Sequence, residues 1–170
     1  YGIARTLSLT SNAKYPYISC NFVHKDSGKP VLEPHVMKTV GHVKIGFVGI
    51  TTPETLTSTA PAYFQNEAGE CIYDFLDDER LYAAVQASID ALKADGADYI
   101  IALGHVGTDP FSHTTSRDII AHVKGLSAFI DGHSHTEIAN EQVKGKDNKD
   151  VLLTQTGYYF GGVGKMTIDE

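Results

Sequence analysis

Two cysteines in 170 residues cannot build a disulfide framework, and Cys20 and Cys71 lie in separate segments with no C-x-x-C between them. They read as buried or free thiols. Basic charge is also scarce. Lys and Arg number 14 against 21 Asp and Glu, for a net charge of −7. Broad binding to a nucleic-acid polymer or an anionic membrane needs a basic face, so both are set aside as partners. No apolar run approaches the roughly 18 residues of a membrane span. There is no N-x-[ST] acceptor, no repeat and no low-complexity tract. The chain opens on Tyr1 without a methionine, a basic n-region or an apolar h-region, so the start is expected to be a cut within a longer chain.

What remains is ordinary globular material. Apolar residues make up 42% and charged residues 21%, enough for one domain or one large piece of one. Ile3 and Leu7 sit at helical spacing in residues 1–10. Residues 16–23 (PYISCNFV) read as a short strand, and 24–30 as a loop. Residues 36–40 and 43–50 read as a β-hairpin around Gly41-His42, its second arm apolar enough for a central strand. Thr52-Pro53-Glu54 can open a short helix. Residues up to 77 read as a long surface excursion with aromatic anchors.

From residue 79 onward the pattern becomes regular. Leu81, Val85, Ile89 and Leu92 form one helical stripe, with Asp77 or Asp78 able to cap its start and Gly96 to end it. Residues 97–103 read as a strand. Thr115 and Asp118 form a capping-box variant that opens a second helix. Residues 128–130 read as the next strand, 137–150 as a polar loop, and 151–155 and 163–168 as two last strands. The order helix, strand, helix, strand implies parallel neighbours in a layered α/β domain. Ligands of such sheets sit at the carboxyl ends of the strands.

Two of those ends read alike. The run YIIAL stops at Gly104-His105, and AFI stops at Asp131-Gly132-His133-Ser134-His135. Histidine is the commonest nitrogen ligand for zinc and similar ions, and glycine lets the backbone bend and approach closely. His105, His133 and His135 are therefore candidate metal ligands. Asp131 can ligate or can orient an imidazole, and Asp109 lies near the rim as a loop-positioning residue. A hydrolytic two-metal site also needs bridging carboxylates, and none is found after any other strand. His24, His35, His42, His113 and His122 read as plain loop, hairpin or helix residues. Ser134 misses the nucleophile elbow because Thr136 replaces its last glycine. Residues 157–165 (GYYFGGVGK) do not fit a P-loop.

On the stretches PYISCNFV, VKIGFVGITTPET, ADYIIALGHVGTD, FIDGHSHT and VLLTQTGYYFGGVGKMTID, the chain resembles the 5'-nucleotidase / 2',3'-cyclic-nucleotide phosphodiesterase branch of the calcineurin-like metallophosphoesterases. The fold this implies is α/β: a layered metallophosphoesterase-type β-sandwich flanked by helices, with residues 1–170 as its C-terminal portion. The resemblance implies two divalent ions, of Zn, Mn, Fe or Mg-like character. His105 and His133 match ligands of the second ion and His135 a ligand of the first, a position where some members carry Gln or Asn. Asp131 and Asp109 then fall to supporting positions beside the ligands.

The family's earlier motifs, Asp-x-His, Gly-Asp and Gly-Asn-His, are not in this chain in their place. Neither is the C-terminal domain that holds the nucleoside's base. The expectation is a portion of a nucleotide-hydrolysing enzyme, inactive alone, with no catalytic residue of its own and an extracytoplasmic location by family habit. Its partners would be a nucleotide substrate and the two absent parts of the same protein. The alternatives are a non-catalytic binding module that kept the fold, or a single-metal His-x-His hydrolase.

Overall fold

The computed structural model describes residues 2–168. Helix α1 (Gly2–Asn12) leads into strand β1 (Phe22–His24), then the hairpin β2 (His35–Val40) and β3 (Val43–Thr51). A short helix α2 (Thr55–Ser58), a 3-10 turn (Pro61–Phe64) and β4 (Tyr73–Phe75) form the excursion. Then come α3 (Asp78–Ala94), β5 (Tyr99–His105), α4 (Ser116–His122), β6 (Ala128–Ile130), β7 (Glu137–Lys144) and β8 (Asp150–Thr156). Among the described residues, no helix is long and apolar enough to cross a membrane.

The main sheet has six strands in the order β2-β3-β5-β6-β8-β7. Strands β3, β5, β6 and β8 run parallel, and the hairpins β2/β3 and β7/β8 add an antiparallel strand at each edge. The expected α/β class is what the chain adopts. It takes the form of one mixed sheet with helices packed on it and a separate two-stranded ribbon of β1 and β4. The apolar runs of β3 and β5 are buried on consecutive residues at mid-strand, Val48 to Ile50 and Ile100 to Ala102, so both faces are covered there.

The core joins sheet and helices. Leu81, Val85, Ile89 and Leu92 of α3 are all buried, with Ile119 and Ile120 of α4, against Val48, Ala102, Phe129 and Leu153 of the sheet. Each of these side chains larger than Ala102 contributes about 1.5–3 kcal/mol by leaving water. The Thr115 capping box forms in full, Thr115 accepting from the Asp118 amide while the Asp118 carboxylate accepts from the Thr115 amide. A smaller cluster of Phe22, Phe64 and Phe75 gathers Ile3 and Leu7 of α1 and supplies the aromatic anchors of the excursion. Cys20 lies in the main core, where burial pushes its thiol up to about 12, and both cysteines are free.

Four sequence expectations need correction. Residues 137–150 are not a polar loop, because β7 occupies Glu137–Lys144. Its apolar residues Ile138 and Val143 are five apart and break the period of two. A bulge between Ile138 and Glu141 adds one residue, so both side chains pack on the core. Residues 163–168 carry no strand; Met166, Thr167 and Ile168 instead line a cleft with Tyr99, Ile101 and Leu152. Residues 16–23 are strand only from Phe22, although Ile18 bridges to Glu33. Asp77 stands at the start of α3 but makes no side-chain cap; its carboxylate accepts from Arg80 at 2.7 Å.

Candidate metal-binding rim

Parallel strands β3, β5 and β6 end side by side, with Thr51 in register with His105 and Leu103 with Ile130. The residues just past those ends therefore share one rim. His105 arrives as the last residue of a regular strand. Gly104 before it is obligatory for packing, since a Cβ there would collide with the Phe129 ring. The turn after it is held by Asp131, which is buried. Asp131 Oδ1 accepts from the Val106 and Gly107 amides at 3.0 and 3.2 Å, and Oδ2 from the Gly107 amide at 3.1 Å. This carboxylate thus acts on the backbone that carries His105 rather than on an imidazole.

The other end is built on strain. His133 has φ 81° and His135 φ 57°, both in the left-handed region that costs a non-glycine residue roughly 1–2 kcal/mol. Such outliers persist only when the surroundings fix them, and they concentrate at functional sites. The fixing here comes from Gln155, a buried polar residue at the end of β8's inward row Val151, Leu153, Gln155. Its Oε1 accepts from the Thr136 amide at 2.8 Å and from the Ser134 hydroxyl at 3.2 Å. The Thr108 amide donates to Ser134 Oγ at 3.1 Å, tying this loop to the one after β5. Ser134 is occupied as a loop fastener.

The rim brings two of the three candidate histidines together. His105 Nε2 and His133 Nδ1 stand 3.3 Å apart, with the rings tilted by 65°. Burial, and next the neighbouring His133, lower the His105 pKa below its ordinary value of 6.5, while Asp131 pulls the other way. His105 is thus held neutral, the form with a free lone pair. His135 is exposed, its ring stacked on Tyr158 at 5.0 Å, and it is close enough to lower the His105 pKa as the smallest of the four causes. Asp109 Oδ1 accepts from the Phe111 amide at 2.9 Å and shapes its own loop. His113 pairs with Asp78 at 2.9 Å, and His122 stacks on Tyr82 at 4.1 Å, so both serve packing.

A carboxylate that sequence reasoning missed also reaches the rim. Glu54 Oε2 lies 3.1 Å from His133 Nε2. It follows β3 by three residues, and only the parallel pairing of β3 with β5 places it there. The signal available was an acid just past a central strand, read instead as part of a helix start.

The donor set bears on a metal. Two nitrogens about 2.0–2.1 Å from one tetrahedral ion stand roughly 3.3–3.4 Å apart, which is the spacing of the His105–His133 pair. The pair therefore fits two ligands of one ion. Among the described residues, however, no group of three or more His, Cys, Asp or Glu is arranged to hold an ion. The described residues offer a histidine pair without a complete ligand set.

Fold and rim together define an α/β protein with a histidine site at the carboxyl edge of a mixed parallel sheet. No family model matches the chain. It is 32% identical over 132 residues, 74% of its length, to a 5'-nucleotidase from Diplobatis ommata, of which it covers 20%. It is 23% identical over 164 residues to a 2',3'-cyclic-nucleotide 2'-phosphodiesterase/3'-nucleotidase from Salmonella typhimurium, covering 86% of the chain and 24% of that protein. The sulfate thiohydrolase SoxB of Thermus thermophilus superposes over 92% of this chain and 26% of its own, with a TM-score of 0.74 at 19% identity. A 5'-nucleotidase precursor from the same organism does so over 88% and 29%, with a TM-score of 0.67 at 22% identity. At those identities the structural likeness shows the fold alone. The sequence matches relate most of this chain to the 5'-nucleotidase / 2',3'-cyclic-nucleotide phosphodiesterase family. The chain spans about a fifth to a quarter of the length of these curated relatives.

Proposed function

We propose that this chain is the C-terminal portion of the metallophosphoesterase domain of a nucleotide-hydrolysing enzyme, either a 5'-nucleotidase or a 2',3'-cyclic-nucleotide phosphodiesterase. The observation that carries the reading is the 3.3 Å approach of His105 Nε2 to His133 Nδ1 at two adjacent strand ends. Its kinship with nucleotidases over most of its length supports the substrate class.

In this reading His105 and His133 would hold one divalent ion and His135 would contribute to a second. Bound there, the ions supply charge stabilisation for a phosphoryl group and make an attacking water more acidic. The remaining work falls to the chain's own residues. Asp131 fixes the turn behind His105, and its buried carboxylate resists displacement because two amides donate to it. Gln155 and Thr108 hold the loop of His133 and His135 in its strained form, so the His133 imidazole is aimed at His105 before any ligand arrives. His135 would have to leave its Tyr158 stack to join them. No residue of this chain is assigned proton transfer to or from substrate.

Metal-binding calorimetry and a phosphate-release assay test the reading. Wild type is expected to bind Zn²⁺ or Mn²⁺ with a stoichiometry that His133→Ala lowers. It is expected to release no phosphate from AMP or 2',3'-cyclic AMP by itself. Phosphate release abolished by His133→Ala would overturn the expected inactivity of the isolated chain. A second reading, a binding module that kept the fold without catalysis, draws on the lack of a three-ligand group among the described residues. Absence of any divalent-cation binding favours that reading.

A further inference from the structure

Three parallel strands that end side by side each send one side chain to the rim. His105 comes from β5 and His133 from the turn after β6, both foreseen as ligands. The third is Glu54, from the turn after β3. It is not a floppy surface acid. Asn21, fully buried, accepts from the Thr51 amide at 2.9 Å and donates to the Thr51 carbonyl at 2.7 Å, which locks the end of β3. Thr52, also buried, accepts from the Glu54 amide at 3.3 Å, and its carbonyl accepts from the Thr55 hydroxyl at 2.7 Å. Glu54 heads α2 with an α-helical backbone, its carbonyl accepting from the Thr57 and Ser58 amides at 3.0 and 2.8 Å. The backbone beneath the carboxylate is thus fixed on both sides.

An ionised carboxylate can only accept, so a hydrogen bond between Glu54 Oε2 and His133 Nε2 requires the proton on Nε2. In the neutral ring, Nδ1, the nitrogen that faces His105 Nε2, is then left with its lone pair. We propose that Glu54 is the positioning residue of this rim, holding His133 in its Nε2–H tautomer so that Nδ1 and His105 Nε2 converge on one divalent cation. This rests on the metal-site reading above and adds to it a specific residue, nitrogen and proton. The arrangement is the carboxylate–histidine–cation relay in which the outer acid fixes ring orientation and raises the basicity of the ligand nitrogen. Because Glu54 lies on a different strand turn from either histidine, it also couples the end of β3 to the end of β6.

The test separates the tautomer from the metal. In chelator-treated, nitrogen-15-labelled protein at pH 8, long-range proton–nitrogen spectra read which ring nitrogen of His133 is protonated. The assignment comes from the cross-peaks that disappear in His133→Gln. Wild type and Glu54→Gln, whose amide oxygen still accepts, are expected to show the Nε2–H form. Glu54→Ala is expected to show a mixture. Titration of the same three proteins with Zn²⁺ is expected to give a loss of about 10–100-fold in affinity for Glu54→Ala and less than about 10-fold for Glu54→Gln. An unchanged His133 tautomer in Glu54→Ala overturns the proposal. So does an equal loss of affinity in Gln and Ala variants, which would make Glu54 a direct ligand. If wild type binds no cation at all, the metal reading falls and the convergence on a cation falls with it, whatever the tautomer. Unfolding midpoints of the three proteins within experimental error of each other exclude a general loss of structure, as expected for a side chain 35% exposed.

Discussion

Gly104-His105 and Gly132-His133 are the same dipeptide at the ends of neighbouring strands, yet the chain holds the two histidines by different means. His105 continues β5 in regular geometry and is steadied from below by a buried carboxylate on backbone amides. His133 sits past the end of β6 in a left-handed conformation, steadied from the side by Gln155 and touched by Glu54. One end is placed by the sheet, the other by a loop that the sheet forces into strain. A spelled motif thus fixes which chemistry arrives at a rim, while the neighbouring strands fix where it stands and at what energetic cost.

The largest effect is expected from breaking the support under the first end. Asp131→Ala leaves the Val106 and Gly107 amides without their charged acceptor inside the protein. Hydrogen bonds to charged groups and the desolvation of stranded donors put the loss at about 3 kcal/mol. Urea unfolding measures it. A loss below about 1 kcal/mol would mean that the sheet alone holds His105, and the contrast between the two ends would fail.

A smaller pair of substitutions should differ in sign. His133→Gly removes a side chain from a left-handed position and is expected to raise stability by up to about 1 kcal/mol, even without the hydrogen bond to Glu54. His105→Gly places glycine in a strand and is expected to lower stability by about 0.5–1 kcal/mol. Both should weaken cation binding. Thermal unfolding in the presence of chelator checks the first statement, and Zn²⁺ titration the second. Equal signs in the unfolding data would show that the strain at His133 is not stored in the folded chain.

Much of this was legible from the residues. The helices from residue 79 onward, the hairpin and the strands β5, β6 and β8 are set by periodicity and capping, which are local. The two Gly-His ends were legible for the same reason, since a strand's end and the residues after it are neighbours in sequence. What escaped reading depends on pairing. The bulge in β7 breaks the alternation that marks a strand, and it makes sense only against β8. Glu54 reaches the rim through the parallel pairing of β3 and β5, invisible in a string where it precedes His133 by an excursion, two helices and two strands. Gln155 is a polar residue in an inward row, and only the loop it fastens explains it. The stacking of His135 on the Tyr158 ring goes with its own left-handed backbone, neither of which the His-x-His spacing encodes.

The smallest expected effect sharpens the comparison through protons. His105 titrates below its ordinary 6.5, first through burial and second through the adjacent His133. In metal-free protein the sign follows. Below pH 6.5 the unfolded chain takes up a proton that folded His105 still refuses, so stability falls as pH drops from there to the folded pKa and then levels off. Above pH 6.5 the group contributes no slope. Unfolding free energies of wild type and His105→Asn, measured between pH 5 and 8 with chelator present, should diverge on the acid side only, the wild type losing more. Proton NMR of the His105 ring then separates the causes. His133→Asn should move its titration part of the way back toward 6.5, leaving the larger share that burial imposes. A complete return would mean that the second histidine, and not the packing of the first strand end, sets the charge of the rim.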